Sequence, residues 1–433
     1  MYCMAETKII VLDDDPTGIQ TVFDIDVLMR FEVEDLLQIM KNPEELVYLS
    51  TNSRSLLPDE TERLHRHIIQ NLSKASKMTG REFLIISRGD STMRGHYPLE
   101  SEIIREELES LNYPLRGEIL CPYLDGIRKT EDDVHYVLNQ GEWIPCAETE
   151  FARDATFGYH HSDIKEYVNE KYGTAKSFVS ISIDMLDGHH DEEILNLLNC
   201  SEKGSKIIVN ALNMSHLEAF IKALQPVKHL YQYRTAASFV KAFAKVGDRP
   251  FLTMKELCDH SKTGGLILAG SHVKKTTEQI ECLLSEKLAE VLVLDVSAEI
   301  EPQIQELAEK TDELLSQGKN VLVMTSRTRI DFEGNAFDQL IKSRNISEKF
   351  VSLIAKCKVR PRFLISKGGI TSFDVLNKGL HMSSARVLGQ VAKNIPAVRL
   401  EKGSLYPGMS VVVFPGNVGE TETLKELVKQ TVC

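Results

Sequence analysis

The chain has 433 residues, and its 51 lysines and arginines against 63 aspartates and glutamates give a formal charge of −12 at pH 7. This length favours two domains over a single core. The acidic balance makes nucleic acid a poor partner, because phosphate backbones bind basic surfaces. No apolar run reaches the roughly 20 residues that span a bilayer, so we expect no membrane partner.

The N-terminal segment MYCMAETKII has no basic region followed by an apolar one. We therefore expect no signal peptide. The eight cysteines form neither a CxxC pair nor a Cys/His knuckle in the sequence. This pattern predicts free thiols in a reducing compartment, and we expect a cytoplasmic protein.

Short apolar runs alternate with amphipathic stretches through the first half of the chain. The runs rich in β-branched residues, which predict strands, are 8–12, 46–50, 83–87, 117–121, 177–182 and 206–211. Helical periodicity is clearest over 58–77, 98–110 and 214–224. This alternation is typical of an α/β domain with a largely parallel, buried sheet.

Segment 245–264 interrupts the alternation with glycine, proline and charged residues, and we interpret it as a linker. Beyond it, strands are predicted at 266–270, 291–296, 321–326, 362–366 and 410–414, and helices at 274–288, 298–317 and 342–357. The sequence thus predicts two α/β domains, 1–244 and 265–433, with largely parallel sheets and an active-site cleft between them.

Ligands of open parallel sheets bind at the carboxyl ends of the strands, so the residues after each strand are the candidates. The first predicted strand runs into Asp13, Asp14 and Asp15. Three adjacent carboxylates repel one another, and a Mg²⁺ ion, a substrate hydroxyl or a cation would relieve the repulsion. The alternative is a turn that one aspartate caps while the others are solvated.

Two polar segments with arginines follow the next strands. Residues 51–55 contain Arg54, and residues 88–96 read RGDSTMRGH, with Asp90, Ser91 and Arg94. Arginine matches a carboxylate bidentately, and a nearby aspartate can accept a proton from a hydroxyl. The two segments predict a substrate with one carboxylate and several hydroxyls; surface turns with local salt bridges are the alternative. A weaker polar stretch, 233–238, is interpreted as the opening of a helix.

Three glycine-containing turns follow predicted strands of the second half, at 270–272, 367–371 and 415–419. Glycines let backbone amides approach phosphate oxygens closely, and helix N-termini attract anions. The set predicts a nucleotide site. The GxxxxGK[ST] and GxGxxG signatures and the protein-kinase motifs are missing from the sequence, so the nucleotide would be bound in another way.

Two other functions remain open at this point. Asp13-x-Asp15-x-Thr17 after a strand fits the opening motif of haloacid dehalogenase-type phosphatases, although no later Asp-Asp pair completes that motif set. A non-catalytic two-lobe protein that binds a small molecule would explain two α/β domains, but it would leave the adjacent acids without a role.

The segments DDDPTG, TNSRSL, SRGDSTMRGH, KGGITSFDVL and VVFPGNVG, in this order over nearly the whole chain, resemble the four-carbon acid sugar kinase family. The resemblance implies a sugar-acid-binding N-terminal domain, a nucleotide-binding C-terminal domain and the use of ATP with Mg²⁺. It implies phosphorylation of the terminal hydroxyl of an acid such as erythronate, threonate or 3-oxo-tetronate. A homo-oligomer is compatible with it.

The resemblance also implies site residues. Carried over by motif, those on the acid side are Asp14, Asp15, Arg54, Asp90, Ser91 and Arg94, with Asp14 or Asp90 as the base. Those on the ATP side are Ser271, Gly368, Gly369, Ile370, Thr371 and Gly416. Metal ligands are not assigned. The triple aspartate and Ile370 depart from the pattern of many members, which leaves the identity of the acid open.

Overall fold

The computed structural model describes residues 7–270, 273–295, 300–326 and 336–431, without the side chains of 300, 301 and 336–343. The strands are β1 (Lys8–Asp13), β2 (Ile25–Leu28), β3 (Leu46–Ser50), β4 (Phe83–Arg88), β5 (Gly117–Cys121), β6 (Arg128–Glu131), β7 (Val134–Asn139), β8 (Glu142–Pro145), β9 (Phe178–Ile181), β10 (Ser205–Val209), β11 (Tyr231–Thr235), β12 (Leu266–Ala269), β13 (Glu290–Leu294), β14 (Val321–Thr325), β15 (Leu364–Lys367), β16 (Ser384–Ala392), β17 (Ile395–Leu400) and β18 (Ser410–Phe414).

The helices alternate with these strands over most of the chain. They are α1 (Val33–Lys41), α2 (Pro58–Thr79), α3 (Leu99–Ser110), α4 (Ile164–Tyr172), α5 (Ile183–Asp187), α6 (Asp191–Cys200), α7 (Met214–Leu224), α8 (Ala237–Phe243), α9 (Met254–Leu257), α10 (Lys274–Ser285), α11 (Ile300–Ser316), α12 (Ala336–Lys356), α13 (Gly369–Asp374) and α14 (Thr423–Lys429). In the described part of the chain, no helix is both long and apolar enough to cross a bilayer.

The chain forms two compact units. The first consists of the chain up to Asp14 together with Arg30–Gly247, and the second of Asp15–Met29 together with the chain from Asp248 onward. The chain therefore passes from one unit to the other three times.

The sheet of the first unit has the order β3-β1-β4-β11-β5-β10-β9, and its neighbouring strands are parallel. All six residues of β1 and all six of β4 are buried, as expected for strands that are covered on both faces. Since β1 has β3 on one side and β4 on the other, the connections diverge there. This is a topological switch point, where α/β sheets bind ligands. A separate antiparallel sheet, β6-β7-β8, completes the strands of this unit.

The strands of the second unit follow the order β13-β14-β12-β15-β18-β17-β16-β2. Pairing is parallel from β13 to β18 and antiparallel from β18 to β2. Its core contains Ile267, Phe363, Val412 and Phe414, each at most 1% exposed.

The fold class predicted from sequence, two α/β domains with largely parallel sheets, is confirmed. Each of the eleven predicted strands has a counterpart, and β3, β5 and β18 have the predicted bounds. The predicted ends at 296 and 298–299 lie outside the described residues.

The course of the chain between the units is less simple than the contiguous domains expected at 1–244 and 265–433. Residues 15–29 join the second unit because β2 pairs with β16, from Ile25 with Val387 to Leu28 with Ser384. Much of the expected linker 245–264 joins it too, because Met254 and Leu257 are buried in the core of the second unit.

Candidate functional site

Four strand exits bring polar side chains together at the switch point of the first unit. Asp13 of β1 is in register with Ser50 of β3 and Arg88 of β4, and Arg88 is in register with Thr235 of β11. The four strands end at the same level, so the segments that follow them meet at one edge of the sheet. The segments after β1, β3 and β4 were predicted from the sequence as candidate sites, and the end of β11 is the fourth.

The carboxylate of Asp14 lies in the middle of this edge. It is 2% exposed; Oδ1 lies 3.4 Å from Nη1 of Arg88, and Oδ2 lies 3.4 Å from Nε of Arg54. Among the described residues, Oδ2 of Asp14 accepts no hydrogen bond. A buried carboxylate oxygen without a donor is costly unless a ligand supplies one. The site therefore has an acceptor placed for a hydroxyl.

Asp90 follows β4 at the same edge of the sheet, but its carboxylate has a different environment. Its Oδ2 accepts hydrogen bonds from the Thr92 hydroxyl and from Nε of Arg94, the latter at 2.7 Å, and lies 3.5 Å from Nη1 of Arg54. Arg94 also lies 3.4 Å from Asp154. Asp90 is therefore held in a network of charges, in which Arg54 contacts both predicted catalytic acids.

The pKa values of the two acids separate accordingly. Burial raises the pKa of Asp14 to about 6, against the opposing effect of Arg54, Arg88 and Arg234. Burial also acts on Asp90, but Arg94, Arg54 and the Thr92 hydroxyl outweigh it and hold the pKa well below its usual range. Only Asp14 is thus poised to exchange a proton near neutral pH.

A third buried acid, Glu100 of α3, binds Arg234. Nη1 of Arg234 donates to Oε2 of Glu100 at 2.6 Å and to Oγ of Ser87 at 3.0 Å, and Glu100 also accepts a hydrogen bond from Ser53. Burial opposes ionisation of Glu100, but the charges of Arg234, His65 and His96 lower its pKa to about 2. Glu100 thus fixes Arg234 at the end of β11.

The segment after β4 has its shape because two of its residues are glycines. A Cβ on Gly89 would lie 2.5 Å from Cζ of Arg234, and one on Gly95 would lie 2.9 Å from its Nη2 and 3.3 Å from Oδ2 of Asp14. Gly95 also has φ +126°, a conformation that side chains rarely adopt. Both glycines therefore make room for charged groups of the site.

Three consecutive carbonyls fix the middle of that segment. The Ser91 carbonyl accepts a hydrogen bond from Nε2 of His135, the Thr92 carbonyl from the Tyr159 hydroxyl and the Met93 carbonyl from the Tyr167 hydroxyl, each at 2.7 Å. Ser91 itself is 6% exposed. A segment with each carbonyl satisfied holds Asp90 and Arg94 rigidly.

In the second unit, the three glycine turns follow three adjacent parallel strands, since β15 lies between β12 and β18. A Cβ on Gly270 would lie 2.2 Å from the hydroxyl oxygen of Thr371, so the first two turns are in close contact. The Thr276 hydroxyl donates to the Gly416 carbonyl at 2.8 Å, which connects the third turn to α10. The predicted Ser271 lies outside the described residues.

The turn after β15 differs in one respect from the sequence prediction. The amide of Gly368 donates to the Phe414 carbonyl at 2.9 Å, so it is not available to a phosphate. Gly368 instead supplies a backbone conformation, with φ +119°. The next three residues, Gly369, Ile370 and Thr371, form the first turn of α13, whose N–H groups have no partner within the helix.

Lys367, which the sequence analysis did not assign to the site, is fully buried at the end of β15. Its ammonium group donates to the Pro415 carbonyl at 3.2 Å and lies 3.6 Å from the centroid of the Phe414 ring. It thereby ties the second glycine turn to the third.

Asp15 belongs to the second unit, whereas the sequence analysis grouped it with the acid-binding residues. Its Oδ1 accepts hydrogen bonds from the amide and the hydroxyl of Thr17, at 2.8 and 2.5 Å. Its Oδ2 would lie 2.8 Å from a Cβ on Gly369. The carboxylate of Asp15 therefore fills the space that a side chain at position 369 would need.

A metal site built only from protein ligands is not found in the described ranges, where no three His, Cys, Asp or Glu side chains are placed to share an ion. Magnesium is usually bound through one or two carboxylates together with substrate phosphates and water. Asp15, next to a turn suited to phosphate, fits that mode of binding.

The sequence analysis missed Arg234 and Glu100 as site residues. The stretch 233–238 was interpreted as a helix start, but Arg234 lies on β11, and α8 begins only at Ala237. The aromatic, alternating YQYRT could have indicated that strand. Nothing in the sequence marks Glu100, since a glutamate in an amphipathic helix is usually solvated.

The phosphatase alternative is not favoured by this geometry. Asp13, which would be the nucleophile, is fully buried, and its Oδ1 lies 3.2 Å from Nη1 of Arg88. A nucleophilic carboxylate must be accessible to its substrate.

Two family models match the chain. Residues 9–243 match a sugar-binding N-terminal domain, and residues 266–424 match a nucleotide-binding C-terminal domain. None of the curated proteins compared with the chain matches it.

Solved structures with the same fold include two bacterial proteins. A Salmonella typhimurium LT2 protein described as a candidate tRNA synthase is similar with a TM-score of 0.70 and 15% identity over 98% of each chain. Haemophilus influenzae protein HI1011 is similar with a TM-score of 0.66 and 16% identity, over 97% of this chain and 99% of that one. At such identities the likeness concerns the fold alone.

Proposed function

Because the chain belongs to the four-carbon acid sugar kinase family, we propose that it transfers the γ-phosphoryl group of ATP to the terminal hydroxyl of a four-carbon sugar acid. Erythronate, threonate and 3-oxo-tetronate are the candidate acids. The first unit would bind the acid and the second the nucleotide, in keeping with the sugar-binding and nucleotide-binding domains that match them.

One observation carries the assignment of the base. Oδ2 of Asp14 is buried, accepts no hydrogen bond from the described residues and belongs to a carboxyl group with a pKa of about 6. In the reaction, the hydroxyl oxygen forms a bond to the γ-phosphorus while the bond from that phosphorus to the β–γ bridging oxygen breaks. The hydroxyl proton passes to Oδ2 of Asp14.

Asp90 would act differently in this proposal. Its low pKa makes it a weak proton acceptor, so it would serve as a fixed negative charge that orients Arg54 and Arg94. Arg54, Arg94 and Ser91 would contact the acid. Their positions are set by the segments after β3 and β4, so the hydroxyl presented to Asp14 is chosen by rigid elements.

On the nucleotide side, we propose that the first-turn amides of α13, at Gly369, Ile370 and Thr371, bind phosphate oxygens. Lys367, Gly416 and Ser271, which belong to the three glycine turns predicted from the sequence, would contribute to the same site. Asp15 would hold Mg²⁺, directly or through water. The bound ion would neutralise charge on the phosphates. Gly368 contributes through its backbone conformation.

A coupled assay of ADP release tests the proposal. The panel contains erythronate, threonate and 3-oxo-tetronate stereoisomers, with phosphomonoesters as the control substrates. We expect ATP turnover that depends on one acid and no phosphate release from the monoesters. The absence of turnover with every acid, or phosphate release without ATP, would contradict the kinase assignment.

A further inference from the structure

Arg234 lies at the end of β11 with only one of its nitrogens engaged. Its side chain is 11% exposed, and Nη1 makes both hydrogen bonds, to Ser87 and Glu100. Within the ranges that the structure describes, Nη2 and Nε of Arg234 make no hydrogen bond. The charge of Arg234 is paired with Glu100 through Nη1, and the other edge of the guanidinium group is left with donors for a ligand.

Gly89 and Gly95 make room for the guanidinium group of Arg234, and Gly89 lies over its face. A Cβ on Gly89 would lie 2.6 Å from Nη2 and 2.8 Å from Nε, and a Cβ on Gly95 would lie 2.9 Å from Nη2. Gly89 does not have a positive φ, so its backbone conformation does not require glycine. The space beside Arg234 is what requires a residue without a side chain at position 89.

Arg234 also lines a cavity of about 40 Å³. Gly89, Asp90 and Thr235 border it on the polar side, and its apolar lining is Met93, Leu120, Pro122, Ile164 and Val168, with the rings of Tyr97 and Tyr167. A water molecule needs about 10–15 Å³ of such space, so the cavity has room for a small group such as a carboxylate. Apolar walls strengthen an ion pair formed inside them.

The other arginines of this edge are paired more fully with protein carboxylates. Arg54 contacts Asp14 and Asp90, and Arg94 contacts Asp90 and Asp154. Asp90, the acid that borders the cavity, uses Oδ2 for Arg94 and Thr92. Among the described residues, Arg234 contacts a single carboxylate, that of Glu100, and in this it differs from Arg54 and Arg94.

We propose that Arg234 binds the substrate carboxylate through Nη2 and Nε, a parallel pair of donors that matches the two oxygens of a carboxylate. This rests on the proposed acid substrate and identifies the residue that selects it. A neutral polyol of the same length would leave the guanidinium edge unpaired and would bind poorly. The small cavity would also disfavour acids with a bulky substituent on the carboxylate-bearing carbon.

Binding without turnover tests this inference. The rise in Tm of the full chain is measured without nucleotide, over a titration with each four-carbon acid and with the neutral polyols erythritol and threitol. The variants are Arg234→Gln and Arg234→Lys. Arg105→Gln is the control, since Arg105 pairs with Glu102 and Glu109 on α3, outside the site.

We expect the wild type and Arg105→Gln to bind at least one acid and neither polyol. Arg234→Gln should weaken binding of the acid at least about 30-fold, and Arg234→Lys should restore only part of it. Gly89→Ala retains the arginine, but its methyl group would clash with the face of the guanidinium group and displace it. This variant should weaken binding too, and it tests the inference if Arg234→Gln does not fold.

Unchanged binding of the acid by Arg234→Gln and Gly89→Ala would overturn the inference, and so would wild-type binding of a polyol as tight as that of the acid. The inference also fails if the wild type binds none of the acids. Failure of the kinase proposal is separate: it would appear as absent ADP release while acid binding still depends on Arg234.

Discussion

Nη1 of Arg88 lies 3.4 Å from Oδ1 of Asp14, while Oδ2 of the same carboxylate accepts no hydrogen bond from the described residues. Arg88 thus holds one oxygen of the acid; Arg54 lies 3.4 Å from the other but donates no hydrogen bond to it, so a ligand can. This environment predicts that Asp14, rather than Asp90, is the base.

Asp14→Asn should lower kcat by about 10²–10⁴-fold with little change in nucleotide affinity, because the amide cannot accept the hydroxyl proton. Asp90→Asn should mainly raise the KM for the acid, since it releases Arg54 and Arg94 from their partner. Steady-state kinetics with calorimetric measurement of nucleotide affinity separates the two effects. Near-normal kcat in Asp14→Asn would rule Asp14 out as the base.

The pH dependence of kcat/KM should follow the titration of Asp14. Its pKa is raised to about 6, so the base is protonated and inactive below that pH, and kcat/KM should rise with pH and level off above about 6. A limb near pH 4 would indicate a base with an ordinary pKa.

The raised pKa of Asp14 also makes the stability of the fold depend on pH: activity should rise with pH, whereas stability should fall. The folded-state pKa of Asp14 lies above the ordinary value of 3.8. Its contribution to stability is present below about pH 4 and is lost as the pH rises through about 6. Asp14→Asn, which cannot ionise, should therefore lack the fall in Tm that the wild type shows between about pH 4 and pH 6. A folded variant at the pH of the assay would show that its loss of rate is not caused by unfolding.

How far the sequence could predict this site depended on the kind of residue. Strands β1 and β4 are apolar on both faces and end in dense polar segments, so their position and the importance of Asp14, Asp90 and Arg94 were readable. The importance of Glu100 was not readable. A glutamate on a helix is usually solvated, and the burial of this one depends on contacts with Ser53 and Arg234, which are distant in sequence. Likewise, the Gly368 amide could be assigned only once β18 was known to lie beside β15.

The prediction of strands from the sequence had the same limit. Parallel strands are buried on both faces and stand out as apolar runs, which is why β12 and β18 were found. The pair β16 and β17 was missed: β16 alternates buried and half-buried residues as an antiparallel strand with one exposed face. The placement of β2 depends on a partner about 360 residues later in the chain, which local patterns do not encode.

Gly270→Ala should weaken nucleotide binding and leave acid binding unchanged. The new Cβ would lie 2.2 Å from the Thr371 hydroxyl oxygen and would displace the first turn of α13. A loss of about tenfold or more in nucleotide affinity by calorimetry is expected. Gly403→Ala is the control, because a Cβ there has no neighbour within 4 Å. Equal affinities in the two variants would argue against a phosphate site at α13.

Asp15→Asn should raise the Mg²⁺ concentration needed for half-maximal activity by about tenfold or more. The amide oxygen can still accept the hydrogen bonds from Thr17, so the turn should keep its shape while the charge is lost. A Mg²⁺ titration at saturating ATP and acid measures this. The control is Glu401→Gln, at an exposed position of the same unit, and it should behave as the wild type. An unchanged Mg²⁺ requirement in Asp15→Asn would exclude Asp15 as a metal ligand.

Glu100→Gln should destabilise the first unit by about 3 kcal/mol, because it leaves buried Arg234 without its charged partner. The pKa of Glu100 is lowered to about 2, so its stabilisation is present above about pH 4.5 and is lost as the pH falls toward 2. The difference in unfolding free energy between wild type and variant, measured with urea at several pH values, should shrink as the pH falls. A difference that is constant from pH 7 to pH 3 would contradict this role.

The pairing of β2 with β16 constrains how this protein can be dissected. A fragment that ends at Gly247 would retain β2 without β16, and the complementary fragment would present β16 with an open edge. Unpaired strand edges recruit other chains, so both fragments should aggregate. Separating the two halves cleanly would require joining Asp14 to Arg30 in the first fragment and attaching residues 15–29 to the second, rather than a single cut near residue 247.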